Sequence, residues 1–357
     1  MSTPRIALTM GDVAGVGPEV IADAWTQPAF HAAARPLVIG HPQVLRRAVE
    51  LRRASVQVVE VTAPREVEPT PRVMPCLRAA ADDCLEVPSG KIDARAGEAA
   101  YRTLDAAIDL ARAGRVDAIT TAPLNKAALH CAGYTYPGHT EILAERCGTP
   151  NFAMMLYLAG GESQGENGSA AGRGLAVVHV TLHMALRDVF RHVTTQAVLA
   201  KIQLAHDFTS ALSPVPPRIG VSALNPHAGE MGLFGDEEST IIAPAIDRAR
   251  QLGIDVTGPF PSDTLMVRAA AGEFDAVVAM IHDQGHIAVK LLGLERAVNV
   301  TLGLPIIRTS VAHGTAFDLA WTGRADSGSM VEAVRVAARL ARTRAALIAS
   351  AASSEPA

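Results

Sequence analysis

A chain of 357 residues in which 49% are hydrophobic and 19% charged buries a sizeable core, enough for two domains of ordinary size, and falls outside the disordered class. Its formal charge of −4 gives no electrostatic reason to bind nucleic acid or an anionic membrane, and no apolar run approaches the roughly 18 residues of a span. Aromatic residues are only 4%, so the core is expected to be Ala, Val, Leu and Ile, as where helices cover a parallel sheet.

Ile6 to Thr9 reads as a first strand. Met10-Gly11-Asp12-Val13-Ala14-Gly15-Val16-Gly17-Pro18-Glu19 follows as a glycine-rich turn into a helix whose first turn suits Pro18. The string meets neither the Rossmann nor the Walker spacing, so taken alone it is a tight strand-to-helix turn. Short apolar segments at Pro36 to Gly40 and Gln57 to Val61 alternate with helical patterns, and an amphipathic helix from about Arg95 to Ala113 is closed by Gly114. Segment 63–73, with Pro64, Pro69 and Pro71, reads as a surface connection. Val116 to Thr121 is a buried strand. Such alternation predicts an α/β fold with a parallel sheet and right-handed crossovers.

Thr121-Ala122-Pro123-Leu124-Asn125-Lys126 and Tyr136-Pro137-Gly138-His139-Thr140-Glu141 are loops entering helices, where open α/β sheets bind ligands. Thr140 would serve equally as a cap. Asn151 to Ala159 and Gly174 to Thr181 read as strands, and Gly160 to Arg173 between them as a mobile hairpin tip. Arg218 to Ser222 is another strand, Leu224 to Glu230 a loop, Asp236 to about Leu252 a helix after an acidic start, and Gly258 to Thr264 a rigid proline-rich turn. The final helix is expected from Met330 to about Ser350. Cys76, Cys84, Cys131 and Cys147 show no metal or redox spacing and no signal peptide precedes the first strand, so reduced thiols in the cytoplasm are expected.

The densest chemistry follows an apolar run that ends in Ala279-Met280-Ile281-His282-Asp283-Gln284-Gly285-His286. Lys290, Asn299 and Arg308 come next, then His313-Gly314-Thr315-Ala316-Phe317-Asp318. His183, His227 and His282 each follow a predicted strand in a polar loop. Three imidazoles from separate loops, with Asp263 and Asp283 nearby in sequence, suit a catalytic divalent metal that keeps open positions. They suit hydrogen-bonding or capping roles as well, and spacing does not decide between the two. His179 and His183, at i and i+4 of an extended segment, lie too far apart to chelate one ion.

The strings GDVAGVGPE, TAPLNKAAL, YPGHTEILAE, TLHMALRD, LNPHAGE, GPFPSDT, HDQG, NVTLGLPIIRTS and HGTAFD closely resemble the PdxA family, the 4-hydroxythreonine-4-phosphate dehydrogenases of pyridoxal phosphate biosynthesis. The resemblance runs in order along nearly the whole chain. It implies an isocitrate/isopropylmalate-dehydrogenase-like fold: two α/β domains around a cleft, 1–130 with 296–357 and 131–295, in a homodimer whose sites draw on both subunits. It implies that His183, His227 and His282 are metal ligands shared across the dimer, for zinc, cobalt or magnesium, and that His139, Thr140, Lys290, Asn299 and Arg308 hold substrate. His313, Gly314, Thr315 and Asp318 look like the adenine-side loop for NAD or NADP in β-decarboxylating dehydrogenases, which accounts for the absent Rossmann fingerprint. Val13 departs from the family's usual proline, the 160–173 insertion is longer than usual, and His286 after HDQG resembles a catabolic branch of the family.

Oxidising a secondary alcohol requires a hydride acceptor, a base and an electrophile for the developing alkoxide. Lys290, Asp283 and Asp263 are candidates for the proton transfer. The implied activity is oxidation of a phosphorylated 3-hydroxy acid, foremost 4-phosphooxy-L-threonine, to 2-amino-3-oxo-4-phosphooxybutanoate, which decarboxylates. The alternative substrates are D-threonate or erythronate 4-phosphate, or a carboxylated cis-dihydrodiol. A catalytically silent metal- or nucleotide-binding protein is the reading from another class.

Overall fold

The computed structural model describes residues 3–160, 175–213, 215–293 and 296–354. From residue 161 on, the expected hairpin tip lies outside them. In chain order the elements are β1 (Arg5–Thr9), α1 (Gly17–Trp25), α2 (Pro28–Ala33), β2 (Arg35–Gly40), α3 (Pro42–Leu51), β3 (Gln57–Val61), β4 (Val73–Arg78), α4 (Ala94–Arg112), β5 (Ala118–Thr121), α5 (Lys126–Cys131) and α6 (His139–Cys147). Then come β6 (Ala153–Leu158), β7 (Leu175–His179), α7 (Leu186–His192), α8 (Thr195–Leu212), β8 (Ile219–Ser222), α9 (Ala243–Gln251), β9 (Val256–Phe260) and α10 (Ser262–Ala270). The chain continues with β10 (Ala276–Ala279), α11 (His282–Gly293), β11 (Ala297–Leu302), β12 (Arg308–Val311) and α12 (Gly328–Ser354). They form two compact units, Met1–Pro150 with Leu304–Ala357, and Asn151–Gly303.

In the first unit the strand order is β3-β4-β2-β1-β5-β12, and every pairing is parallel. Its inner strands β1 and β5 are buried along their whole length because helices cover both faces. Alternation along the strands sorts the side chains. Ile6, Leu8, Val38 and Ala118 pack with Trp25, Leu45, Met330 and Val334, whereas Ala7, Leu37, Ile39 and Ile119 pack with Leu104, Ile108, Ile142 and Leu143. Because α6 buries Ile142 and Leu143 in that second cluster, residues 131–150 belong to this unit. β4 has no counterpart in the sequence reading, since Pro75 removes a donor from what is an inner strand between β3 and β2.

In the second unit the order is β11-β6-β7-β10-β8-β9. β7, β10, β8 and β9 are parallel, while β6 runs antiparallel to both β7 and β11. The expected rigid turn at Gly258 to Thr264 instead begins as strand β9, which ends the sheet order, where a proline donor is not missed. Pro259 follows a cis peptide bond, and the pairing of β9 with β8 is irregular between Gly220 and Ser222. No helix of the described residues is long and apolar enough to cross a membrane.

A buried hydroxyl pair ties β5, β12 and α12 together. Thr309 Oγ1 donates to the Ala333 carbonyl at 2.9 Å, so its single proton is committed and Thr120 Oγ1 must donate to it, also at 2.9 Å. Thr309→Val strands the Thr120 hydroxyl and removes the second bond to the Ala333 carbonyl, which keeps its helical partner, and should cost about 1–3 kcal/mol, whereas Thr120→Val strands nothing that must be bonded and should cost about 1 kcal/mol or less. Urea midpoints of the two variants test this order; equal losses would contradict the assigned hydrogen directions.

Candidate functional site

In the first unit, parallel register brings the C-terminal ends of β1, β5 and β12 side by side, with Thr9 opposite Thr121 and Thr121 opposite Ser310. The loop after β1 is bound to both neighbours. Asp12 N donates to the Pro123 carbonyl at 2.9 Å, Val16 N to the Thr315 carbonyl at 3.0 Å, and Trp321 Nε1 to the Val13 carbonyl at 2.8 Å. A Cβ at residue 15 would lie 2.9 Å from Thr315, so only glycine lets this turn close on the 313–318 loop. The glycine string is therefore the packing turn its spacing suggests. His313, Thr315 and Asp318 lie in the loop it braces, where His313 Nδ1 meets the Gly314 carbonyl at 2.9 Å.

Arg308 opens β12 with only 2% of its surface exposed, and its Nη2 donates to Thr121 Oγ1 at 2.7 Å. Burial pushes its pKa down to about 9, against the opposing pull of Glu141. His139 begins α6, and burial, then the charges of Arg308 and Lys126, hold its pKa well below the usual imidazole value. It is thus a neutral hydrogen-bonding group beside two cations. Thr140 follows it in the same first turn, whose free amides and helix dipole favour an anion. Lys126 is a site residue that the sequence reading passed over; its only signal is its place at the start of α5 after the capping Asn125, whose Oδ1 accepts from Ala128 N at 3.0 Å.

The second unit gathers imidazoles at the ends of β7 and β10, which pair with His179 opposite Ala279. The His183 and His282 rings are 5.7 Å apart between centroids. His282 Nδ1 lies 2.7 Å from Asp283 Oδ1, so it donates there and leaves Nε2 with its lone pair outward. Two imidazoles on one ion, at about 2 Å per bond, place their centroids roughly 5 Å apart, so this pair fits a shared divalent metal. His227 stands elsewhere, in a short left-handed turn where its ring meets Phe234 at 6.1 Å and Glu230 at 3.4 Å. Among the described residues no three His, Cys, Asp or Glu side chains are grouped to hold an ion within one chain. Buried Glu238 holds the strand end that leads into this turn, Oε1 accepting from Leu224 N at 2.8 Å and from Asn225 N at 2.7 Å. Gln284 of the HDQG string is structural, spanning from Met280 N at 2.9 Å to the Ala223 carbonyl at 2.8 Å.

In the same unit, Lys290 lies two turns beyond His282 on α11 and is exposed, Asp263 in the first turn of α10 accepts from Thr264 N at 2.8 Å, and Asn299 on β11 holds a buried Oδ1 without a hydrogen-bond partner among the described residues. His179 and His286 were not among the expected site residues, yet they pack against His282: His286 stacks on it at 3.7 Å and meets His179 at 4.7 Å. Burial above all keeps both neutral, lowering His179 to about 3 and His286 to about 4.

Parallel units with polar loops at their strand ends define an α/β enzyme of the ligand-at-the-carboxyl-edge type. Comparison with known proteins is specific. Residues 32–337 match the family described as pyridoxal phosphate biosynthetic protein PdxA. The chain is 45% identical over 350 residues to a D-threonate 4-phosphate dehydrogenase of Cupriavidus necator, covering 96% of this chain and 98% of that one. It is 44% identical over 345 residues to a 4-hydroxythreonine-4-phosphate dehydrogenase of Trichlorobacter lovleyi, with 96% and 98% covered. A crystal structure of 4-hydroxythreonine-4-phosphate dehydrogenase from Klebsiella pneumoniae superposes with a TM-score of 0.83 at 42% identity, covering 95% of this chain and 99% of that one. The chain belongs to the PdxA family. It is a dehydrogenase acting on a CH–OH group.

Asp12, fully buried in the glycine loop, accepts from Ala14 N at 2.7 Å. Burial pushes its pKa from 3.8 up to about 6, with Asp93 adding to the rise and the Ala14 amide opposing it. Because the unfolded chain loses this proton first, the group costs nothing below about pH 4 and removes stability as pH rises from about 4 to about 6, on the order of 2–3 kcal/mol in all. Asp12→Asn keeps the acceptor for Ala14 and should abolish that component, making the variant more stable relative to wild type at pH 7 than at pH 4. Denaturant titrations at the two pH values check this, and a pH-independent difference would contradict it.

Proposed function

We propose that the chain is a cytoplasmic, homodimeric dehydrogenase that uses NAD and a divalent metal to oxidise the C3 hydroxyl of a four-carbon acid phosphorylated at C4. 4-Phosphooxy-L-threonine and D-threonate 4-phosphate share that skeleton, and His286 favours the second. The observation that carries the reading is the grouping of Arg308, Lys126 and neutral His139 at the N-terminus of α6, a set of donors suited to a phosphate. A carboxylated cis-dihydrodiol offers no phosphate for this set to hold.

The Thr121 hydroxyl fixes one arm of the Arg308 guanidinium, and the planar fork so oriented suits phosphate oxygens. His139 gives a hydrogen bond without adding charge. His313, Gly314, Thr315 and Asp318 would hold the adenine side of the nucleotide on a loop braced by Gly15. NAD bound there would accept the hydride from C3, and the hydroxyl proton would pass to Asp283, Lys290 or Asp263. His183, His227 and His282 would hold a divalent ion, which would supply Lewis acidity toward the C3 oxygen. Asp283 keeps His282 in the tautomer that ligation needs. The 3-keto acid then loses carbon dioxide, because the ketone β to the carboxylate takes up the electron pair. From D-threonate 4-phosphate this gives dihydroxyacetone phosphate.

Dimerisation brings His227 into the set. Its turn also exposes Met231, Leu233 and Phe234, and the same unit exposes Leu186 and Phe190 on α7 and Ile287 and Leu291 on α11. Apolar groups in that number support a partner surface.

The test is NADH formation with each phosphorylated acid before and after chelation. Turnover should vanish with EDTA and return with added Zn²⁺ or Co²⁺. Arg308→Ala should lower kcat/KM by about tenfold to a hundredfold, and Arg308→Lys should recover only part, since a point charge does not reproduce a planar fork. Full activity after rigorous metal removal, or an Arg308→Ala enzyme with wild-type kcat/KM, would overturn the proposal.

A further inference from the structure

We propose that His286 and His179 form a positioning pair that holds the His282 ring in the orientation required to ligate the metal; this rests on the metal-dependent reading above. His282 and His286 are four residues apart on α11 and so share one helix face. Their rings stack at 3.7 Å between centroids with planes only 11° apart, so the face of His282 lies flat against a second imidazole. His286 is 8% exposed and His179 1% exposed, so neither ring is free to swing into solvent.

The hydrogen bonds fix the direction of the pair. His179 Nδ1 faces the Met154 carbonyl at 3.4 Å, and His286 Nδ1 faces the His282 carbonyl at 3.2 Å; a carbonyl only accepts, so each Nδ1 carries the proton. His179 Nε2 is then a lone pair, and it lies 3.2 Å from His286 Nδ1, whose single hydrogen is shared between this nitrogen and the His282 carbonyl. Every hydrogen placed on one ring is thus accepted by the next group, and the chain from β6 through β7 to α11 is self-consistent. Gly285 makes the approach possible, because a Cβ there would lie 2.3 Å from His179 Nε2. On its other side His282 is held through Nδ1 by Asp283 at 2.7 Å. One contact therefore sets which nitrogen is free and the stacked ring sets the plane in which it points. An aliphatic residue at 286 would fill the same volume without desolvating an imidazole, but it would supply neither the flat face nor the bond to His179.

The test measures the affinity of the chelator-stripped, full-length protein for Co²⁺ alone, by competition with a chromophoric chelator, beside its thermal midpoint and kcat and KM. His286→Leu should weaken Co²⁺ binding by about tenfold to a hundredfold while its thermal midpoint stays close to that of wild type. His286→Phe, which keeps a ring over His282 and loses only the bond to His179, should recover part of the loss. Wild-type Co²⁺ affinity in either folded variant would overturn the positioning role and leave the proposed function standing. Failure of the wild-type protein to bind Co²⁺ would overturn the proposed function and this inference with it.

Discussion

Parallel pairing is the constraint from which the rest follows. Strands that run the same way end at the same edge, so the loops after β1, β5 and β12 in one unit, and after β7, β10 and β8 in the other, are forced to be neighbours however far apart they are in sequence. Chemistry then requires only that each loop carry one suitable side chain. In the first unit these are cations and helix-terminal amides, in the second imidazoles and carboxylates. The strands themselves carry little of the chemistry beyond Arg308 at the start of β12, Asn299 on β11, Thr121 at the end of β5 and His179 at the end of β7. Their fully buried β-branched and alanine side chains keep the edge rigid while the loops differ in content.

Much of this was legible beforehand, because a parallel strand covered on both faces is written as an apolar run and a loop as its polar interruption. Ile6 to Thr9, Gln57 to Val61 and Arg218 to Ser222 needed no more than that. β4 and β9 were hidden by Pro75 and Pro259, since the rule that proline breaks strands has no access to sheet position. Site residues divide the same way. Histidines that end a strand announce themselves, and the family motifs named Arg308 and His139. Lys126 was concealed as one more lysine at a helix start, and His179 as one more residue of a buried strand. Only the fold places the first near His139 and the second beneath Gly285.

Burial gives both units the same electrostatic character by different means. Arg308 is charged where water scarcely reaches, and the imidazole at its side stays neutral first because it is buried and then because a second positive charge there would be unfavourable. His179 and His286 stay neutral for want of solvent, which preserves the lone pairs that a stack of imidazoles needs in order to bond to one another. The proposed reaction would use both kinds of group: a fixed positive charge for the anion that does not react, and neutral imidazoles for the metal.

The central claim is that the buried cation at the start of β12 recognises a substrate phosphate. Its most direct measurement is the ratio of kcat/KM for D-threonate 4-phosphate to that for unphosphorylated D-threonate, with NAD and metal saturating. The account predicts a ratio of at least about tenfold to a hundredfold, the value of charge-assisted hydrogen bonds to a guanidinium. Equal use of the two acids would contradict it.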